Sequence, residues 1–126
     1  WAVLSAQVAM TAQSYSAAQR DSNASLFANM FVPNLVATAT AAATTTLTVG
    51  SAEIQVFTGT TTQTVVLPTT GVVAGQSWEI INTSTGAITV NASGGASVGT
   101  VAAGTTGRFR ALQATPTTAA HWARVY

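Results

Sequence analysis

Charge is what this chain has least of. Its 126 residues include four Arg, no Lys and three acids (Asp21, Glu53, Glu79), a formal net charge of +1. Charged residues make up 6% of the chain, against about 25% in an ordinary soluble domain. Cysteine is absent and His121 is the one imidazole. Each shortage closes off a class. Without Cys there is neither a disulfide scaffold nor a thiolate zinc site. A nearly balanced charge supplies no basic patch, so nucleic acid is not an expected partner. Enzymes gather several carboxylates, imidazoles or thiols at one place, and this inventory offers few. No basic segment followed by an apolar run opens the chain, so no signal peptide is visible. The most apolar stretch, residues 35–49, is interrupted by six Thr. It is also shorter than the roughly 20 residues of a spanning helix, so no membrane insertion is expected.

What is present is Ala, Thr, Ser, Val and Gly, with hydrophobic residues at 48%. Disordered chains are polar and highly charged, and this one is neither. Charge is the usual cover for a small domain's surface. A chain with so little of it is best kept in solution by hiding surface between copies, through apolar interfaces that resemble a divided core. A tightly assembled multimer is therefore expected. The chain opens on Trp1 inside a continuing pattern, which reads as the C-terminal piece of something longer.

Three segments follow from the pattern. Residues 1–31 lack Gly and Pro and carry a heptad trace, with Trp1, Val8, Tyr15 and Ser22 in one row and Leu4, Thr11, Ala18 and Ser25 in the other. These are a and d positions of a helical, coiled-coil-like stalk or trimerisation segment. Leu26, Phe27, Met30 and Phe31 share one helical face beyond a cap at Ser22 or Asn23. Val32-Pro33-Asn34 stops the helix. Residues 32–50 are an Ala/Thr-rich extended connector. Residues 51–126 are β throughout. Alternation predicts strands over 53–58, 63–67, 76–82, 87–92, 97–101, 108–114 and 120–126, separated by Gly-rich turns such as Thr83–Gly86 and Ser93–Gly95. Trp78 and Ile80 share one face of their strand, with Glu79 and Ile81 on the other; Ile88 and Val90 point inward. Short strands at regular spacing indicate a small antiparallel β-sandwich or barrel. No repeat of 20 to 50 residues and no βαβ alternation stand out.

Chemistry-bearing residues are sparse. Glu53 and Glu79 lie on different strands and are sheet neighbours in some registers. A carboxylate pair about 5 to 9 Å apart suits glycoside hydrolysis, the one enzymatic reading available; two surface carboxylates, or partners for Arg108 or Arg110, are the commoner outcome. No catalytic residue, cofactor or metal site is assigned: His121 alone makes no metal cluster unless a threefold axis gathers three copies. Arg108, Phe109, Arg110, His121, Trp122, Arg124 and Tyr126 concentrate cations and rings near the C-terminus. Aromatic faces and planar guanidinium donors are what sugars and acidic groups bind. Arg108, Arg110, Trp122, Arg124 and Tyr126 are therefore the candidate ligand-contact residues. Trp122, Arg124 and Tyr126 share a strand face, as do Arg108 and Arg110. The alternative is that the rings fill the core and the guanidinium groups are solvated or bridge subunits.

Several runs carry a family resemblance: Gln63-Thr64-Val65-Val66-Leu67-Pro68, then Gly75-Gln76-Ser77-Trp78-Glu79-Ile80-Ile81-Asn82, Ser84-Thr85-Gly86, Ile88-Thr89-Val90, Ser93-Gly94-Gly95, Ala103-Gly104-Thr105-Thr106 and Thr117-Thr118-Ala119-Ala120-His121-Trp122. Over residues 55–126 the chain resembles the C-terminal, receptor-binding region of bacteriophage tail fibres, from phages of Gram-negative hosts, Acinetobacter among them. The resemblance implies an intertwined homotrimer at the distal end of a virion tail fibre, binding host polysaccharide or an outer-membrane protein. It also implies a preceding stalk, in keeping with the heptad trace. It carries no residue-level receptor contacts, because these domains share a framework and vary in what they bind. The alternatives are a purely structural trimerisation, capping or virion decoration domain and, after it, a capsule depolymerase using Glu53 and Glu79.

Overall fold

The computed structural model describes residues 33–125. The stalk expected over 1–31 and the candidate residue Tyr126 lie outside the described residues. The described part is mainly β. One sheet holds β1 (Leu35–Ala39), β3 (Ile54–Thr58), β5 (Ser77–Asn82), β8 (Thr106–Ala111) and β9 (Trp122–Val125). The other holds β2 (Thr44–Thr46), β4 (Gln63–Val66), β6 (Ile88–Asn91) and β7 (Ser97–Val101). The strand orders are β1-β3-β5-β8-β9 and β2-β4-β6-β7.

Neither sheet is the antiparallel arrangement expected from the turns. β1, β3 and β5 run parallel, and so do β2, β4 and β6. The antiparallel pairs are β5–β8, β6–β7 and β8–β9. Parallel neighbours need a long crossover, usually a helix. Here the crossover is a strand in the facing sheet, so the chain coils through both sheets in turn. Leu35, Ile54 and Glu79 stand side by side in register, at sequence offsets of 19 and 25; Thr44, Thr64 and Thr89 do so at offsets of 20 and 25. The coil thus has a period that the sequence does not advertise. Thr83–Gly86, which reads as a hairpin turn, instead carries the chain from one sheet to the other. Ser93–Gly95 is a true hairpin turn, joining β6 to antiparallel β7.

The seven strands expected over 51–126 are all present, with shifted ends. The last begins after a 3-10 turn, Ala119–His121. The Ala/Thr segment expected as a connector is extended, as read, and supplies β1 and β2, the edge strands on one side of both sheets. β-branched Thr and Val favour the pleated conformation there. The turn between β1 and β2 puts Ala42 at φ 56°, a left-handed conformation costly for a residue with a Cβ. Buried Gln63 holds it: its Oε1 accepts the Ala41 and Ala43 N–H groups at 3.0 and 3.2 Å, and its Nε2 donates to Thr45 Oγ1.

The core lies between the sheets. Phe57, Trp78, Ile80, Phe109 and Trp122 face Val65, Leu67, Ile88, Val90 and Val101, all buried. Each large side chain removed from water contributes about 1.5 to 3 kcal/mol. Successive coils approach closely at Gly86, where an added Cβ would fall 2.3 Å from the Thr61 carbonyl oxygen. Only glycine fits at that distance.

Candidate functional site

Period-two alternation places each candidate. On β8, Gly107, Phe109 and Ala111 point into the core, so Arg108 and Arg110 point out. Glu79 is the cross-strand partner of Arg108. Arg108 Nη2 donates to Glu79 Oε1 at 3.1 Å, with the two side chains 39% and 24% exposed. A pair this open to water contributes at most about 1 kcal/mol. Arg110 is exposed, in a row with Ser77 and Ala123.

The other two described candidates face inward. Trp122 is buried at 5% exposure and meets Trp78 edge-on, with ring centroids 6.0 Å apart. It is a core residue and presents no ring to a ligand. Arg124 follows it on the same face. Its guanidinium carbon lies 5.7 Å from the centre of the Phe109 ring, and Nη1–H donates to the Thr100 carbonyl of β7. Arg124 therefore spans the two sheets beside the β7 and β9 edges and covers Phe109 there. Gly99 and Gly107 make room for it. A Cβ at Gly107 would sit 3.1 Å from Arg124 Nε and 3.3 Å from Phe109, and one at Gly99 would touch both side chains. Two glycines inside strands are the sequence signal for this close approach.

His121 closes a loop. Its Nδ1 accepts the N–H groups of Thr117 and Thr118 at 3.0 and 3.3 Å, which assigns the proton to Nε2. Among the described residues no group of three or more His, Cys, Asp or Glu is placed to hold a metal ion. Glu53 and Glu79 are near in the fold, since the Glu53 carbonyl accepts the Glu79 N–H at 2.8 Å. The Glu79 carboxylate is engaged by Arg108.

Two further surfaces emerge from register rather than from motif. A cleft of about 400 Å³ opens beside β1 and β2, lined by Val36, Thr38, Thr45, Leu47, Ser51 and Gln55 among others. It is the interior of the first coil, reached past its edge strands. On the outer face of the four-stranded sheet, Thr44, Thr64, Thr89 and Thr100 form one row across all four strands, and Thr46, Val66, Asn91 and Ser97 form the next. Adjacent strands lie about 4.8 Å apart, so this face is a regular array of neutral hydroxyls with one amide and one valine.

No family model matches the chain, and neither a curated protein nor a solved structure resembles it closely enough to count as a match.

Proposed function

We propose that this chain is the distal part of a bacteriophage tail fibre. It acts as a homotrimer on the virion and attaches to the host bacterial surface by binding polysaccharide or an outer-membrane protein. The observation that carries this reading is the run of strand and turn motifs over residues 55–126 that resembles tail-fibre C-terminal domains. Surface chemistry supports it. The threonine rows offer donors and acceptors without charge, which suits the hydroxyls of a neutral glycan. Arg110 supplies an exposed planar donor for acidic or hydroxyl groups. Three such surfaces on one tip, and several fibres on one virion, multiply a weak contact into avid attachment.

The second reading is a capping or decorating role with no host contact. The apolar outer face of the five-stranded sheet favours it, because burying that face between copies needs no receptor. Binding of the labelled full chain to whole Gram-negative cells and purified capsular polysaccharides, Acinetobacter strains first, separates the two. Attachment gives saturable binding that Arg110→Ala weakens about tenfold, the loss of one charge-assisted hydrogen bond. Failure of the unaltered chain to bind any strain or polysaccharide would leave the structural reading in its place. Binding undiminished in Arg110→Ala would remove Arg110 from the contact.

A further inference from the structure

On its outer face the five-stranded sheet is largely apolar across β1, β3 and β5. Register aligns Leu35, Ile54, Glu79, Arg108 and Val125 in one row, and Ala37, Val56, Ile81 and Thr106 in the next. Leu35 is 60% exposed and Val125 39%, and Ile54, Val56 and Ile81 are half-buried. Parallel strands ordinarily have both faces covered. Here the inner face packs on the four-stranded sheet, while the outer face shows β-branched apolar residues to water. The corresponding face of the four-stranded sheet carries Thr, Asn and Ser at the same kind of position, with Val66 its one large apolar side chain in the two rows. The two outer faces therefore belong to different surroundings.

Charge selects the occupant. The only ionised groups in the two apolar rows are Glu79 and Arg108, and they neutralise each other at 3.1 Å. A charged partner finds no complement there. A second copy of these two rows brings matching apolar side chains and no net charge, while Arg110, in the neighbouring row with Ser77 and Ala123, lies on β8 outside them. The chain as a whole, at 6% charged residues, lacks the means to keep such a face hydrated on its own. Three strands about 4.8 Å apart and about five residues long give a footprint of roughly 10 by 17 Å. That is less than half of the roughly 800 Å² per partner in a standard interface, so this face is one seam of an assembly and not its whole support.

We infer that copies of this chain pack against one another through the outer face of β1, β3 and β5, and that the threonine rows of the four-stranded sheet remain open for ligand. The inference rests on the homotrimer of the proposed function and names the face it uses. The absence of native Cys makes the test clean. Single variants of the full chain, Val56→Cys, Ile81→Cys and Thr89→Cys, are treated with a short bis-maleimide linker and separated under denaturing conditions. Val56→Cys and Ile81→Cys should link most chains into pairs, and Thr89→Cys should stay single. Linking through Thr89→Cys and at neither apolar position, in a protein whose native mass is still a multiple of one chain, would overturn the seam and leave the trimer standing. A native mass of one chain would overturn both.

Discussion

Truncating Phe109 to alanine should lower the unfolding free energy by about 3 to 5 kcal/mol, the range for an aromatic ring lost from a closed core. The ring is fully buried. It sits in register between Trp78 and Arg124, in a row where two rings and a guanidinium meet. Gly99 on the facing sheet and Gly107 on its own strand both lie against it. Neither has a side chain that could move into the space, so the cavity would persist. Arg124 would also lose the surface it stacks on. A domain of this size holds about 5 to 15 kcal/mol in total, so much of its stability is at stake. Urea unfolding followed by far-ultraviolet circular dichroism measures the difference. A loss below about 1 kcal/mol would mean that the two sheets are not packed across this ring.

The second large effect is Asn82→Asp, which should cost about 3 kcal/mol or more at pH 7 and much less in acid. Asn82 is buried at 1% exposure, and all its hydrogen-bonding capacity is used. Its Nδ2 donates to the carbonyls of Gly86 and Val101 at 2.8 and 2.9 Å, and its Oδ1 accepts from Ser84 N–H at 3.0 Å and Ser84 Oγ at 2.6 Å. The side chain thereby ties the turn after β5 to the end of β7 in the other sheet. A carboxylate of the same shape would set an anionic oxygen against two carbonyl oxygens, at about 1 to 3 kcal/mol for each group left unsatisfied. Burial without a donor favours the protonated acid and raises its folded-state pKa above the unfolded value of about 3.9. The variant should therefore be least destabilised below about pH 4, where the single O–H of the acid serves one of the two carbonyls and leaves the other at a cost of about 1 to 3 kcal/mol. It should lose about 1.4 kcal/mol per unit as pH rises toward the folded pKa, and then level off. Urea melts of both proteins from pH 3.5 to 8 read this directly. A difference independent of pH would show that the introduced carboxyl reaches water, and that Asn82 is not the sealed tie described above.

Much of the local structure over 51–126 is legible because alternation there is strong. Trp78 and Ile80 do face the core opposite Glu79 and Ile81, and Ile88 and Val90 do point inward. Topology is less visible. A four-residue Gly-containing turn looks the same whether it reverses a strand within one sheet or carries the chain to the facing one. Only the long-range register separates a hairpin from a coil. β3 shows how weak the contrast becomes when both faces are apolar: Ile54 and Val56 face outward, while Gln55 and Phe57 are buried. β1 and β2 are hard to see because Ala and Thr offer little difference between faces.

The candidate residues divide for the same reason. Shared faces follow from spacing alone, and Trp122 with Arg124, like Arg108 with Arg110, do share them. Spacing does not say which face is inside. Trp122 decides it for β9 and takes Arg124 with it, against Phe109. On β8, Phe109 is the buried residue, and its neighbours Arg108 and Arg110 are turned out by default. The rows of threonine and of apolar side chains are not motifs in the chain at all. Neighbours within a row are 6 to 29 residues apart and meet only once the strands are in register.

Sedimentation equilibrium of the unaltered full chain, followed from micromolar down to nanomolar concentration, bears most directly on how so uncharged a protein stays in solution. Three copies should remain together across the micromolar range. A stable, soluble single chain at those concentrations would contradict the proposal that the apolar sheet face is covered by its own kind.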